Sequence, residues 1–252
     1  MTPDSTFAWI LMQRQVDGRL FLVVEGADED VILNGHIAAD HITVLVAGGK
    51  PNVLATSKLL EERSVQGALA VIDRDLDDLT GDSTAYPTTV IATGGYDLVS
   101  DILAARPDLL DRAIAVQAKE VVERVESTTG TRFQDLAVRL CLDLAVLRLV
   151  NTEEKLELNL RNFPFQRIIG RDFSSGGLRA IVQEANARSR VSVLFEDIAA
   201  ALERAVGRIA GDRRYCGGHD LVGASAALLR GPSHLRMVGL FDPVVPVAAG
   251  GE

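Results

Sequence analysis

Cysteine is scarce in this chain: Cys141 and Cys216 are the only two in 252 residues. They fit no metal spacing and no disulfide framework. Cys141 lies inside an apolar helical run and reads as a core thiol, which suits a reducing cytoplasm. No apolar run approaches the ~18 residues of a membrane span. Met1-Thr2-Pro3-Asp4-Ser5 lacks the basic stretch that opens a secretory signal. The phosphate-loop spacing Gly-x4-Gly-Lys-Ser/Thr is absent, so no nucleotide-binding loop of that kind is expected. There is no internal repeat and no low-complexity segment. The chain also lacks the positive excess of a typical nucleic-acid binder, because its net charge is −9.

That charge is unevenly spread. Residues 1–100 hold six Lys and Arg against fifteen Asp and Glu, which is the whole of the −9, and residues 101–252 are balanced. Glu61 and Glu62 read as a solvated acidic surface. Asp73 and Asp75 do not, because they abut a hydrophobic strand, and a bound cation would cancel part of their charge. An apolar fraction of 47% is ample for a packed core. The length suits one large domain or two small ones.

The hydrophobic pattern predicts an alternation of strands and helices over the first hundred residues. Strands are expected at 7–15 and 20–24, joined by a turn at Asp17-Gly18. A helix over 28–39 follows, with Asp28 as its cap. A strand over Ile42–Ala47 closes at Gly48-Gly49, and a helix opens at Pro51 and runs to about Arg63. Strands over Ala68–Ile72 and Thr88–Ala92 flank a polar loop at 76–87, and Gly94-Gly95 turns into a helix from about Tyr96. This order predicts an α/β fold with a compact parallel sheet and right-handed crossovers. After about residue 105 the period becomes helical. Helices are expected over 108–127, 133–149, 177–189, 194–209 and from Gly217 through Leu229, with a short strand at 156–165 and a loosely held tail after Pro243. The domains are therefore read as 1–105, a metal-binding α/β unit, and 106–252, a mostly helical C-terminal region that can share its core.

Two acidic clusters stand at the ends of apolar strands. The first strand ends Val24-Glu25-Gly26. The third ends Ile72-Asp73-Arg74-Asp75, followed by Asp77 and Asp78. In open parallel sheets the functional crevice lies beyond the carboxyl ends of the strands. If the two strands are neighbours, Glu25, Asp73 and Asp75 meet there. Such carboxylates repel one another unless a cation sits among them, and hard oxygen ligands suit Mg²⁺ or Mn²⁺. Asp77 is a further candidate ligand, with a plain loop acid as the other reading; Asp78 reads as a loop acid. Gly26 allows a substrate to approach closely. Gly48-Gly49-Lys50 offers a helix N-terminus and an ammonium group for a phosphate, or simply a tight turn. His219, in Gly217-Gly218-His219-Asp220, can bring an imidazole to a site, or the segment is a turn with Asp220 as helix cap. Arg161, Arg167, Arg171, Arg179, Arg204, Arg208, Arg213 and Arg214 either track a phosphate backbone or form solvated faces paired with Glu157, Asp172 and Glu203.

The order Val-Glu-Gly, then Gly-Gly-Lys-x-Asn-Val, then Val-Ile-Asp-Arg-Asp resembles a Toprim domain, the metal-binding module of topoisomerases, primases and overcoming-lysogenisation-defect (OLD) nucleases. With Tyr215-x-x-Gly218-His219-Asp220-Leu221 the chain resembles the DUF4435 family of Toprim-like proteins over about residues 20–230. The resemblance implies a Toprim fold followed by a helical region. It implies a divalent-metal nuclease, commonly the effector of a bacterial anti-phage system, working with a separate ABC-type ATPase. It places Glu25 at the family's acid and Asp73 and Asp75 at its paired metal ligands. Val99 stands where the family carries a glutamate, with Asp97 and Asp101 as the nearby acids.

The leading expectation is thus a Mg²⁺- or Mn²⁺-dependent endonuclease on DNA or RNA, with Glu25, Asp73, Asp75 and Asp77 at the metal. Gly26, Gly49, Lys50 and His219 would lie at the substrate, and the protein would form a homo-oligomer or an ATPase complex. A non-catalytic scaffold that binds an ATPase or nucleic acid is the second reading. A haloacid-dehalogenase-like phosphatase is the third, disfavoured because its Asp-x-Asp belongs near the first strand.

Overall fold

The computed structural model describes residues 2–81 and 86–231, with residues 115–117 described by backbone alone. The first half runs α1 (Pro3–Arg14), β1 (Leu20–Val24), α2 (Ala27–Asn34), β2 (Ile42–Val46), α3 (Lys50–Glu62), β3 (Ala68–Ile72), α4 (Asp77–Thr80), β4 (Val90–Ala92) and α5 (Leu98–Ala105). Five helices follow: α6 (Asp108–Thr129), α7 (Phe133–Glu153), α8 (Gly177–Arg188), α9 (Phe195–Ile209) and α10 (Gly218–Arg230). The four strands form one parallel sheet in the order β2-β1-β3-β4. The chain is therefore an α/β protein with a helical C-terminal region. No helix among the described residues is long and apolar enough to cross a membrane.

β1 and β3 are neighbours, in the register Phe21↔Ala68 to Val23↔Ala70. Their carboxyl ends therefore lie side by side, which is the condition on which the acidic crevice depends. β1 leads to β2 on one side and β2 leads to β3 on the other. Right-handed crossovers then set α2 and α3 on opposite faces of the sheet. On one face, Phe21, Val23, Ala70 and Ile72 pack beneath Ile10 of α1 and Val53 and Leu60 of α3. A second apolar cluster centres on α7 and takes in Leu76, Leu79 and Tyr96, so its packing crosses residue 105.

Four expectations change. Residues 7–15 lie in α1, not in a strand. Pro3 occupies the first turn, and Thr2 and Ser5 form a reciprocal capping box. Thr6 and Ile10, four apart, are the buried positions of α1, a helical spacing. The helix after Glu25 is capped by Gly26, not Asp28, with the Gly26 N–H donating to Glu29 Oε2 at 2.7 Å, and it ends at Asn34. The polar segment after Asp75 contains the single-turn α4, while residues 82–85 lie outside the described residues. Residues 156–165 form no ladder. Leu158 and Leu160 are buried as alternation suggests, and Phe163 and Phe165 are buried out of phase with them; Glu157 (φ 59°) and Asn162 (φ 48°) leave the extended region, and the segment inserts into the helical core without a partner strand. The tail after Pro243 lies outside the described residues.

Candidate active site

The carboxyl ends of three strands are stitched together around Glu25. Its carbonyl accepts from the N–H groups of Gly48 (3.0 Å) and Gly49 (2.8 Å), which follow β2. Its side chain reaches the other way, where Oε1 accepts from the Asp73 N–H at 2.9 Å, just beyond β3. The fourth strand joins through Thr93, whose N–H donates to the Ile72 carbonyl (3.0 Å) and whose Oγ1 accepts from the Arg74 N–H (2.9 Å).

Asp73 is held from the far side. Its Oδ1 accepts from the N–H of Leu98 at 3.1 Å, the first residue of α5. This satisfies one of the free donors at a helix start. Burial, and after it the charge of Glu25, push the Asp73 carboxyl up to about 7, with the Leu98 N–H acting against them and Asp97 and Glu29 adding repulsion. Burial likewise raises Glu25 above the usual carboxylate range; the Asp73 N–H opposes this, and Asp75 adds to it. Glu25 and Asp73 thus form a half-buried carboxylate pair whose ionised form is disfavoured as it stands.

Asp75 does not continue beside Asp73. Alternate residues share a face only while the chain stays extended. Asp75 is left-handed (φ 54°), and its N–H donates to the Tyr96 carbonyl at 2.8 Å. Its carboxylate turns instead to Lys50 Nζ at 2.8 Å, which also meets Asp77 Oδ2 at 2.6 Å. Tyr86 donates to the same Asp77 oxygen. Burial works against the Lys50 ammonium, but the hydrogen bonds and charges of Asp75 and Asp77 outweigh it and hold its pKa above the ordinary lysine value. The group is therefore a half-buried ion cluster. It borders a cleft of about 430 Å³ that Arg148 and Arg161 also line.

The remaining sequence candidates fall into place around these two clusters. Gly26 caps α2 and gives its N–H to Glu29. Gly49 (φ 113°) caps α3, but its N–H is taken by the Glu25 carbonyl, and Lys50 is taken by two carboxylates. His219 sits at the rim, with Nε2 3.7 Å from Asp28 Oδ2 and both side chains largely exposed. Asp220 is not the cap of α10, which is Gly217; buried itself, it pairs with the half-buried Arg148, whose Nη2 lies 3.0 Å from Oδ1. Asp78 accepts from the Tyr215 hydroxyl at 3.2 Å.

The two acids near Val99 both serve the backbone. Asp97 caps α5 by accepting from the Ser100 N–H (2.7 Å), and its Oδ2 also accepts from the Gly218 N–H at 2.8 Å. Asp101 accepts from Gly94 and Gly95. Val99 itself packs against Gly218. Six of the arginines pair with acids other than those expected: Arg167 with Glu184, Arg179 with Glu196, Arg204 with Glu154, Arg208 with Glu153, Arg213 with Asp135 and Arg214 with Asp212. Among the described residues no group of three His, Cys, Asp or Glu is arranged to hold a metal.

Sequence reasoning missed the structural weight of Asp97 and Arg148. The Asp97-x-x-Ser100 spacing is the signature of a capping box. An arginine inside the apolar run Leu144–Val150 of α7 signals a buried partner, because a charge is almost never fully buried unless paired. No family model matches the chain, and neither a curated protein nor a solved structure matches it.

Proposed function

We propose that the chain is a divalent-metal-dependent phosphodiesterase acting on nucleic acid, with Glu25 and Asp73 as its principal carboxylates. One observation carries this reading: at the carboxyl ends of neighbouring parallel strands the Glu25 carboxylate accepts from the Asp73 backbone N–H, and burial and then the charge of Glu25 push the Asp73 carboxyl up to about 7. A cation between them would remove that penalty. The donor set fits Mg²⁺, which keeps several waters and takes one or two carboxylates together with substrate phosphate. Such an ion supplies charge neutralisation at the phosphate and an activated water.

The chain's own groups orient this pair. The Asp73 N–H fixes Glu25, and the start of α5 fixes Asp73. Asp75 is close enough for its charge to be felt at Glu25. Lys50, on Asp75 and Asp77, supplies positive charge beside them. The surface ion pairs of the helical half are weak individually, so phosphates of a bound strand can displace them. The resemblance to Toprim-like effectors supports the same chemistry and extends it to an anti-phage role with a separate ATPase. The test is labelled DNA and RNA incubated with the pure chain and Mn²⁺, with and without chelator. Chelator-sensitive cleavage supports the reading; no cleavage of either under any metal removes it.

One observation favours the second reading, a non-catalytic scaffold. Lys50 already pairs with Asp75 and Asp77, two of the four carboxylates expected at a metal. Thermal melting separates the two readings. A site for Mn²⁺ raises the melting temperature as the ion is added, by linkage; a scaffold shows no such rise.

A further inference from the structure

Parallel sheets are normally covered on both faces. Here one face carries α1 and α3, but among the described residues the other carries α2 alone as a packed helix, which contacts β2 and buries no residue completely. Over the remaining strands the described residues leave this second face open. Leu20 is 50% exposed, Leu69 46% and Ile91 54%. They are joined by half-buried Leu22, Val44 and Val71, and the strand register makes the group continuous: Leu22 pairs with Val44 and Leu69, and Val71 with Ile91. A patch of aliphatic side chains in the middle of a sheet marks a surface that something covers.

The dimensions select the occupant. From β1 to β4 is two strand spacings of about 4.8 Å each. That strip, beside α2, is about as wide as one helix of 10–12 Å diameter. A five-residue strand is about 16 Å long, which about eleven helical residues span. Charge selects its character. α2, which borders the strip, carries Asp28, Glu29 and Asp30 and no basic residue in its last turn. Residues 1–100 hold the entire −9 of the chain. A second copy would set that charge against itself, and an anionic lipid surface laid on this face would be repelled as well.

We propose that the open face is the docking site for one amphipathic helix of a partner protein, apolar toward Leu20, Leu22, Leu69, Val71 and Ile91 and basic along its flanks. The helix completes the second layer of the sheet. The site lies on the plane of the sheet and not at the strand ends, so it stands independently of the phosphodiesterase reading.

The probe is a labelled peptide of about 18 residues with leucines at helical spacing and lysines elsewhere, followed by fluorescence anisotropy. Its leucine–glutamate counterpart is the control. The full chain is expected to bind the lysine peptide in preference to the glutamate peptide. The double variant Leu69→Glu/Ile91→Glu is expected to lose at least about tenfold in affinity at unchanged melting temperature. Those glutamates add negative charge, so binding by charge alone would strengthen; equal or tighter binding by the double variant overturns the proposal. Two further outcomes also overturn it. One is a wild-type dimer in sedimentation that the double variant abolishes, which assigns the face to a second copy. The other is slow amide exchange at 20–22, 69–71 and 90–91 that quickens when residues 232–252 are removed, which assigns it to the chain's own tail.

Discussion

Glu25 Oε1 accepts a hydrogen bond from the backbone N–H of Asp73 at 2.9 Å, and this contact joins the ends of two neighbouring strands. It ties the orientation of one acidic side chain to the backbone of the next. The two carboxyl groups therefore share one environment, and a change at either is felt at both.

The first expectation concerns catalysis. Glu25→Gln and Asp73→Asn each keep the shape of the pair and remove a charge. Each is expected to lower Mn²⁺-dependent cleavage by about 10²-fold or more, measured in single turnover on labelled nucleic acid. Full activity in either variant would remove its carboxylate from the reaction.

The second concerns pH. The Asp73 carboxyl is raised from 3.8 to about 7 in the fold. The folded chain thus holds this proton more tightly than the unfolded chain does. Its contribution to stability is complete below about pH 4 and is lost as pH rises to about 7. With chelator present, wild type is expected to be about 1–2 kcal/mol less stable at pH 8 than Asp73→Asn, a figure that allows for solvent screening of a half-buried group. At pH 4 the two should coincide in urea unfolding. A variant with the same pH slope as wild type would contradict this.

The third concerns the internal cation. Lys50→Met leaves Asp75 and Asp77 facing each other without their counter-charge. The expected cost is about 1–3 kcal/mol, reduced from that of a fully buried pair because Asp75 is partly exposed. Adding Asp77→Asn to Lys50→Met should recover part of the loss. A lower melting temperature in the double variant than in the single one would contradict the pairing.

The fourth concerns the joint between the sheet and the helical region. A Cβ on Gly218 would lie 2.4 Å from Val99 Cβ and 2.9 Å from Asp97 Oδ1. Gly218→Ala is expected to cost about 1–3 kcal/mol through overpacking. Val99→Ala should rescue only part of it, because alanine removes Cγ1, at 2.5 Å, but keeps the Cβ at 2.4 Å. Full rescue in thermal melting would contradict the clash with Cβ.

Much of this was legible in local pattern. β3 agrees residue for residue with the apolar run Ala68–Ile72, and α7, α8, α9 and α10 lie within a few residues of their expected bounds. The acids at the ends of β1 and β3 were visible as charges stopping an apolar strand. α1 was misread because its aromatic and aliphatic residues imitate alternation, while its capping box and Pro3 carry the stronger signal. The divergence of Asp73 and Asp75 was not legible. It depends on one left-handed residue and on the carbonyl of Tyr96, which arrives from beyond β4.

The sequence by itself determined the α/β alternation, the helical second half and the set of carboxylates that the strand ends would carry. These follow from the period of hydrophobic residues and from charges that terminate buried runs, both of which are local. Tertiary structure alone decided which carboxylates face one another, because that depends on strand order. It alone gave Lys50 to Asp75 and Asp77, bound Asp97 to Gly218, and, among the described residues, left one face of the sheet with a single helix. Each of these joins residues distant in the chain, and their energies come from desolvation and charge at the contact, which no local pattern encodes.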